Sequence, residues 1–88
     1  MLPDSLEVCG LPYTVALRPM TDGAGACNTG RLEIVVDSDT APAYQQSTLL
    51  HEVLEVINAA HAMKLRHSQI ATLETELFAV LRNNPAWW

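Results

Sequence analysis

The side chains best placed to do chemistry together stand in Leu49-Leu50-His51-Glu52-Val53-Leu54-Glu55-Val56-Ile57. On a helix, at 100° per residue, His51 and Glu55 project from one side a turn apart, with Glu52 beside them. An imidazole and a carboxylate at that spacing suit a divalent cation. On an exposed face the same pair is only a side-chain contact worth about 0.2–0.5 kcal/mol. Spacing alone leaves both readings open, and a third carboxylate bears on the choice. Ile70, Leu77, Phe78 and Leu81 mark an apolar helical face, and Glu74 falls within it while Glu76 points away. Burying a carboxylate unpaired is expensive, so Glu74 must meet a cation, a metal, a histidine or backbone donors, or else take up a proton. If the chain folds back through Met63 to Ser68, Glu74 approaches the turn carrying His51 and Glu55. One nitrogen and two carboxylate oxygens then converge, a set able to hold zinc or another divalent ion with a position left for water. His67 suits the same chemistry and is the candidate fourth ligand, ranked behind Glu74 because it lies in the inter-helix connection. His61 falls on another part of the helix and reads as an ordinary, partly buried histidine.

The elements that must position these residues follow from local pattern. Tyr13, Val15 and Leu17 alternate with Thr14, Ala16 and Arg18 before Pro19, which predicts a strand over about 13–18. Met20 to Gly30 carries Gly23, Gly25 and Gly30 with Thr, Asp and Asn, and reads as a turn or long hairpin connection. The β-branched run LEIVV predicts a second strand over about 32–37. A first helix is expected over about 42–65, capped by Asp39 or Thr40 with Pro42 in its first turn, where a missing N–H costs nothing. Its buried stripe is expected to be Leu50, Val53, Leu54, Ile57 and Ala60. A second helix is expected over about 69–83, capped by Ser68 and ended by Asn83-Asn84-Pro85. The prediction is a single α+β domain over 1–88, a short antiparallel sheet packed against two long C-terminal helices.

Composition limits what such a domain can be. The chain has 88 residues and a net charge of -5, with five Lys plus Arg against ten Asp plus Glu, so a large multidomain enzyme is excluded and nucleic acid is an unfavourable partner. The glycines form no phosphate loop, since no Gly-Lys-Ser or Gly-Lys-Thr follows them. Cys9 and Cys27 are too far apart in sequence for a Cys-x-x-Cys zinc site. They read as two free thiols, with one disulfide the alternative, and Cys27 reads as a small hydrophobe. No run approaches 18 apolar residues and MLPDSLEVCG lacks the form of a signal peptide, so a cytoplasmic protein without a membrane segment is expected.

The order LEIVV, Asp37, a short spacer, TLLHEVLEVIN and then LExxLFxVLRNNP resembles small zincin-type metallopeptidase domains of phage-related and bacterial proteins. The resemblance runs over roughly Arg31 to Pro85. It implies a reduced zincin-like fold, in which a sheet lies beside a helix carrying His-Glu-x-x-His and a following helix supplies a third ligand. By position His51 resembles the first metal ligand and Glu52 the general base. Position 55 departs from the pattern, because Glu55 stands where the second histidine is expected, giving a harder and more anionic site. Glu74 is the favoured third ligand. The implied reaction is peptide-bond hydrolysis, with Glu52 taking a proton from the attacking water and passing it to the leaving amine. Extra carboxylates neutralise a metal more than neutral histidines do, so an inactive descendant of a peptidase fits the same residues.

The alternative from another class is a phage or prophage accessory protein that works by homo-oligomerising or by binding a protein partner or peptide. An acidic surface, a short sheet and the Trp87-Trp88 pair suit that role, since buried aromatic residues carry much interface energy. Glu55 and Glu74 would then pair with His51, His67 or Arg66 to specify the helix hairpin.

Overall fold

The computed structural model describes residues 2–87, with Trp87 described by its backbone alone, so the expected packing of the Trp87-Trp88 pair lies outside the described residues. The elements are β1 (Ser5–Val8), β2 (Leu11–Arg18), β3 (Gly25–Asn28), β4 (Glu33–Asp37), α1 (Pro42–Ala60), α2 (His67–Asn83) and a closing 3-10 turn, Pro85–Trp87. The class is α+β, as expected, with a four-stranded sheet in the order β1-β2-β4-β3. No helix among the described residues is long and apolar enough to cross a membrane.

The sheet is mixed, not purely antiparallel. The strands β2 and β4 pair in parallel, Val15 opposite Ile34 and Leu17 opposite Val36, and β3 pairs antiparallel with β4. The Gly-rich stretch is thus more than a connection. It contains β3, which reverses the chain once, and the Asn28–Arg31 turn reverses it again, so β4 runs in the direction of β2. Asn28 closes that turn by accepting the Arg31 N–H at 3.0 Å. The strand β1 forms a hairpin with β2, Val8 opposite Leu11. Its two turn residues, Cys9 and Gly10, both have positive φ (52° and 77°), the backbone of a two-residue hairpin turn matched to strand twist. Cys9 in place of the usual Asn or Asp hides that turn from the sequence.

The central strand β4 is wholly apolar in its middle, and Ile34 and Val36 are fully buried. Alternation directs both to one face, where they meet Val8, Tyr13, Leu49 and Val56 in the core. Each such side chain contributes about 1.5–3 kcal/mol by leaving water. The helix α1 covers this face, and its buried positions are Thr48, Leu49, Glu52 and Val56. The expected stripe of Leu50, Val53, Leu54, Ile57 and Ala60 is therefore rotated. Val53 and Ile57 flank the core, while Ala60 is exposed. The physical reason is that α1 is packed on two sides, by the sheet and by α2, so no single stripe defines it.

Both helices start and stop at places the local pattern only partly signals. Pro42 opens α1 as its first residue behind Ala41, while Thr40 instead accepts no capping role and donates its hydroxyl to the Asp37 carbonyl at 2.8 Å. At the other end, Met63 N–H donates to Asn58 O at 3.0 Å and Ala62 N–H to Ala59 O at 3.3 Å. That pair of bonds is the Schellman closure, and it puts Ala62 at φ 49°, where glycine is usual. The helix therefore ends at Ala60 rather than near 65. The helix α2 begins at His67, not after Ser68, because Gln69 reaches back to accept the Arg66 N–H at 2.8 Å. It lies against α1 and carries one fully buried residue, Ile70.

Candidate metal centre

Two helices and one edge strand build the site. His51 and Glu55 sit a turn apart on α1, and His67 is the first residue of α2, so helix pairing brings the histidines together with ring centroids 5.1 Å apart. Glu55 Oε2 lies 3.6 Å from His51 Nε2 and 3.8 Å from His67 Nδ1. Both distances exceed a hydrogen bond. One ligand atom from each of the three residues falls within 4.8 Å of the others. Four ligands about 2.1 Å from a zinc ion stand roughly 3.4 Å apart in a tetrahedron, so the two short edges here need only a small closure. Two imidazole nitrogens and one carboxylate oxygen are a donor set that zinc and neighbouring divalent ions accept, and the residues present fit such an ion.

Glu74, expected among the ligands, is placed on the other side of His51. Its Oε1 is 2.9 Å from His51 Nδ1 and its Oε2 accepts a hydrogen bond from Ser47 Oγ. Ser47 and His51 are themselves one turn apart on α1 and grip the carboxylate between them. That answers why an acidic residue stands on the apolar face of α2: both its oxygens are partnered. A carboxylate can only accept, so Nδ1–H is the donor to it, and Nε2 is the ring nitrogen left facing Glu55. This is the arrangement in which an outer carboxylate fixes the tautomer of a ligating histidine. The structure thus gathers His51, Glu55 and His67 at one point, sets Glu74 behind them, and leaves His61 exposed at the end of α1.

Glu52 is 7% exposed and faces a cleft of about 450 Å³ whose walls include Gly23, Gly25, Tyr44, Thr48, His51 and Glu55. Burial pushes its carboxyl above the ordinary 4.5; His51, the Cys27 thiol and His67 draw it back down, and Glu55 adds to the rise. Cys27, on β3, faces the same carboxylate, and burial with the Glu52 and Glu55 charges pushes its thiol up to about 11. The strand approaches α1 closely here. A Cβ on Gly25 would stand 2.5 Å from Thr48 Cγ2, 3.1 Å from Val35 O and 3.2 Å from Glu52 Cγ. Any larger residue would displace the helix segment that holds Glu52.

Sequence reasoning missed Ser47, Gly25, Tyr44 and the placement of Cys27. Ser47 had a signal, since it lies one turn before His51 on the same side of the helix. Cys27 and Gly25 have none, because a Gly-rich stretch with Thr, Asp and Asn has the composition of a connection and conceals the strand that carries them. Compared with protein-family profiles, with curated proteins and with solved structures, the chain matches none.

Proposed function

We propose that this chain binds a divalent metal ion, zinc foremost, through His51, Glu55 and His67, and acts as a zincin-like peptide hydrolase with Glu52 as general base. One observation carries the reading. Glu55 Oε2 stands between two imidazole nitrogens, beyond hydrogen-bonding distance of either, while the far nitrogen of His51 is committed to Glu74. A bound ion supplies Lewis acidity, polarising a carbonyl and making water a better proton donor. Glu52 lines the same cleft and takes the proton of the attacking water at its carboxylate, then delivers it to the leaving amine. Its elevated pKa suits a group that must both accept and return a proton. Glu74 and Ser47 hold His51 in one orientation throughout. The free thiols of Cys9 and Cys27 fit a reducing, cytoplasmic setting.

The test is elemental mass spectrometry on untagged protein purified without chelator, set beside His51→Ala, Glu55→Ala and His67→Ala. Near-stoichiometric zinc that falls in all three variants is expected, with Glu52→Gln keeping the metal and losing peptide cleavage. Wild-type protein that holds no divalent ion even after reconstitution overturns the reading.

A second reading is favoured by a different observation. Leu73, Leu77 and Val80 are 40%, 39% and 44% exposed along one side of α2, a stripe suited to a protein partner or a second copy in a phage-type accessory protein. Sedimentation of wild type against Leu77→Glu tests it: self-association lost in the variant supports this role, and a monomer at all concentrations removes the homo-oligomer.

A further inference from the structure

The least anchored member of the candidate centre is His67, whose side chain is 78% exposed and, among the described residues, has as its polar neighbour Glu55 at 3.8 Å, beyond a hydrogen bond. Its position is set by the backbone that leads into α2. That backbone is unusual: Ala62 and Lys64 both lie in the left-handed region, at φ 49° and 62°, without being glycine. Such a conformation persists only where neighbouring contacts over-determine it. Besides the Ala62 N–H bond to the Ala59 carbonyl, the contacts come from Asn58. Asn58 Oδ1 accepts the Leu65 N–H at 2.9 Å, Asn58 Nδ2 donates to the Leu65 carbonyl at 3.3 Å, and Asn58 O receives the Met63 N–H at 3.0 Å. A carboxamide bonded to both groups of one peptide residue acts as a two-point clasp. It fixes where the chain stands two residues before His67, and it does so from α1, the helix that carries His51 and Glu55.

We infer that Asn58 is a positioning residue for the metal centre: its clasp on Leu65 places His67 against Glu55. This rests on His51, Glu55 and His67 being the ligand set. The side chain is half-buried, one turn beyond Leu54 and Glu55 on α1, and is not among the residues that line the cleft, so it acts through His67. Three consequences separate positioning from mere support of the fold. The proximity of the two histidine rings depends on Asn58 even without metal. Metal affinity depends on Asn58 only while His67 is present. The Asn58→Asp variant, which keeps the acceptor for Leu65 N–H, retains part of the effect.

The experiment uses the full chain as wild type, Asn58→Ala, Asn58→Asp, His67→Ala and Asn58→Ala/His67→Ala. In metal-free protein, contacts between the His51 and His67 ring protons are read by nuclear Overhauser effects, with thermal unfolding run alongside. Cobalt(II) is then titrated and followed by its visible absorption. The wild-type cross-peak is expected to vanish in Asn58→Ala, and cobalt affinity to fall by about 10- to 100-fold, the range for an outer residue that orients a ligand. In the His67→Ala background Asn58→Ala is expected to change affinity less than twofold, and Asn58→Asp is expected to fall between wild type and Asn58→Ala. A cross-peak kept in folded Asn58→Ala, or an equal loss of affinity in both backgrounds, overturns the inference while leaving the ligand set standing. Wild type that shows the cross-peak yet takes up neither cobalt nor zinc overturns the ligand set instead. If Asn58→Ala does not fold, the same comparisons with Asn58→Asp decide.

Discussion

Gly25→Ala probes the contact between the edge strand and the helix that carries the site. The added Cβ would lie 2.5 Å from Thr48 Cγ2, well inside van der Waals contact, and 3.1 Å from the Val35 carbonyl oxygen. The Thr48 methyl has little freedom, because a β-branched side chain on a helix is restricted at χ1 and Thr48 is 7% exposed. Overpacking of this kind costs about 1–3 kcal/mol. The loss of glycine's freedom in the unfolded chain offsets about 0.4–1 kcal/mol of that. A net loss of about 1–2 kcal/mol is expected, which for a domain this size lowers Tm by roughly 5–15 °C. Thr48→Ser removes the clashing methyl; alone it costs about 0.8 kcal/mol, but in the Gly25→Ala background it should stabilise. The assay is urea unfolding of the four-member cycle by circular dichroism, with an expected coupling of at least about 1 kcal/mol. Gly25→Ala within about 0.5 kcal/mol of wild type, or Thr48→Ser costing the same in both backgrounds, would refute close approach as the reason for glycine.

Glu74→Gln keeps the shape but no longer offers two carboxylate oxygens to Ser47 and His51, and is expected to weaken zinc binding by about 10- to 100-fold with the fold intact, read by competition with a chromogenic chelator. Cys27, with its pKa pushed up to about 11, holds roughly one thiolate in a thousand at pH 8, against about a tenth at the ordinary 9.0. A thiol-specific reagent should label exposed Cys9 quickly and Cys27 about 100-fold more slowly, and Cys27→Ser should remove the slow phase alone. A folded thiol pKa above the unfolded one contributes stability that is full below 9.0 and is lost as pH rises through about 11, so Cys27→Ala should flatten alkaline unfolding over that window. Ala62→Gly relieves a left-handed backbone that costs a non-glycine residue about 1–2 kcal/mol, less about 0.4–1 kcal/mol of unfolded-chain entropy, so chemical denaturation should show a gain of up to about 1 kcal/mol.

Where local chemistry dominates, the elements could be read directly. LEIVV is a strand because its β-branched run fits a buried pleated surface, and Pro42 and Pro85 bracket the helical half because proline lacks an N–H. The failures fall where a residue occupies a position usually held by another. Cys9, just ahead of Gly10, and Ala62 stand at positive φ where asparagine or glycine is usual, so β1 and the end of α1 are not visible in the sequence. The strand β3 was hidden for a different reason. Gly-Ala-Cys-Asn has no β-branched or aromatic residue, and becomes a strand because β4 offers it a partner along Gly25 to Asn28.

At the site, the pair on α1 and the anomaly on α2 are both legible in the local pattern. Helical periodicity is enough to set His51 and Glu55 a turn apart and to show a carboxylate, Glu74, on an apolar face that must find partners. It also placed Glu52 beside the pair, though not in the buried position it holds. Which atoms meet was decided by tertiary structure. The choice between His67 and Glu74 as neighbour of Glu55 depends on the pitch of one helix against another and on the six-residue connection between them, neither of which is encoded in spacing along one helix. Packing sends Glu74 to Nδ1 of His51 and Ser47, and the Asn58 clasp sends His67 to the other side. The burial that raises Glu52 comes from β3 lying against α1 at Gly25, a contact between segments 27 residues apart that no local pattern reports.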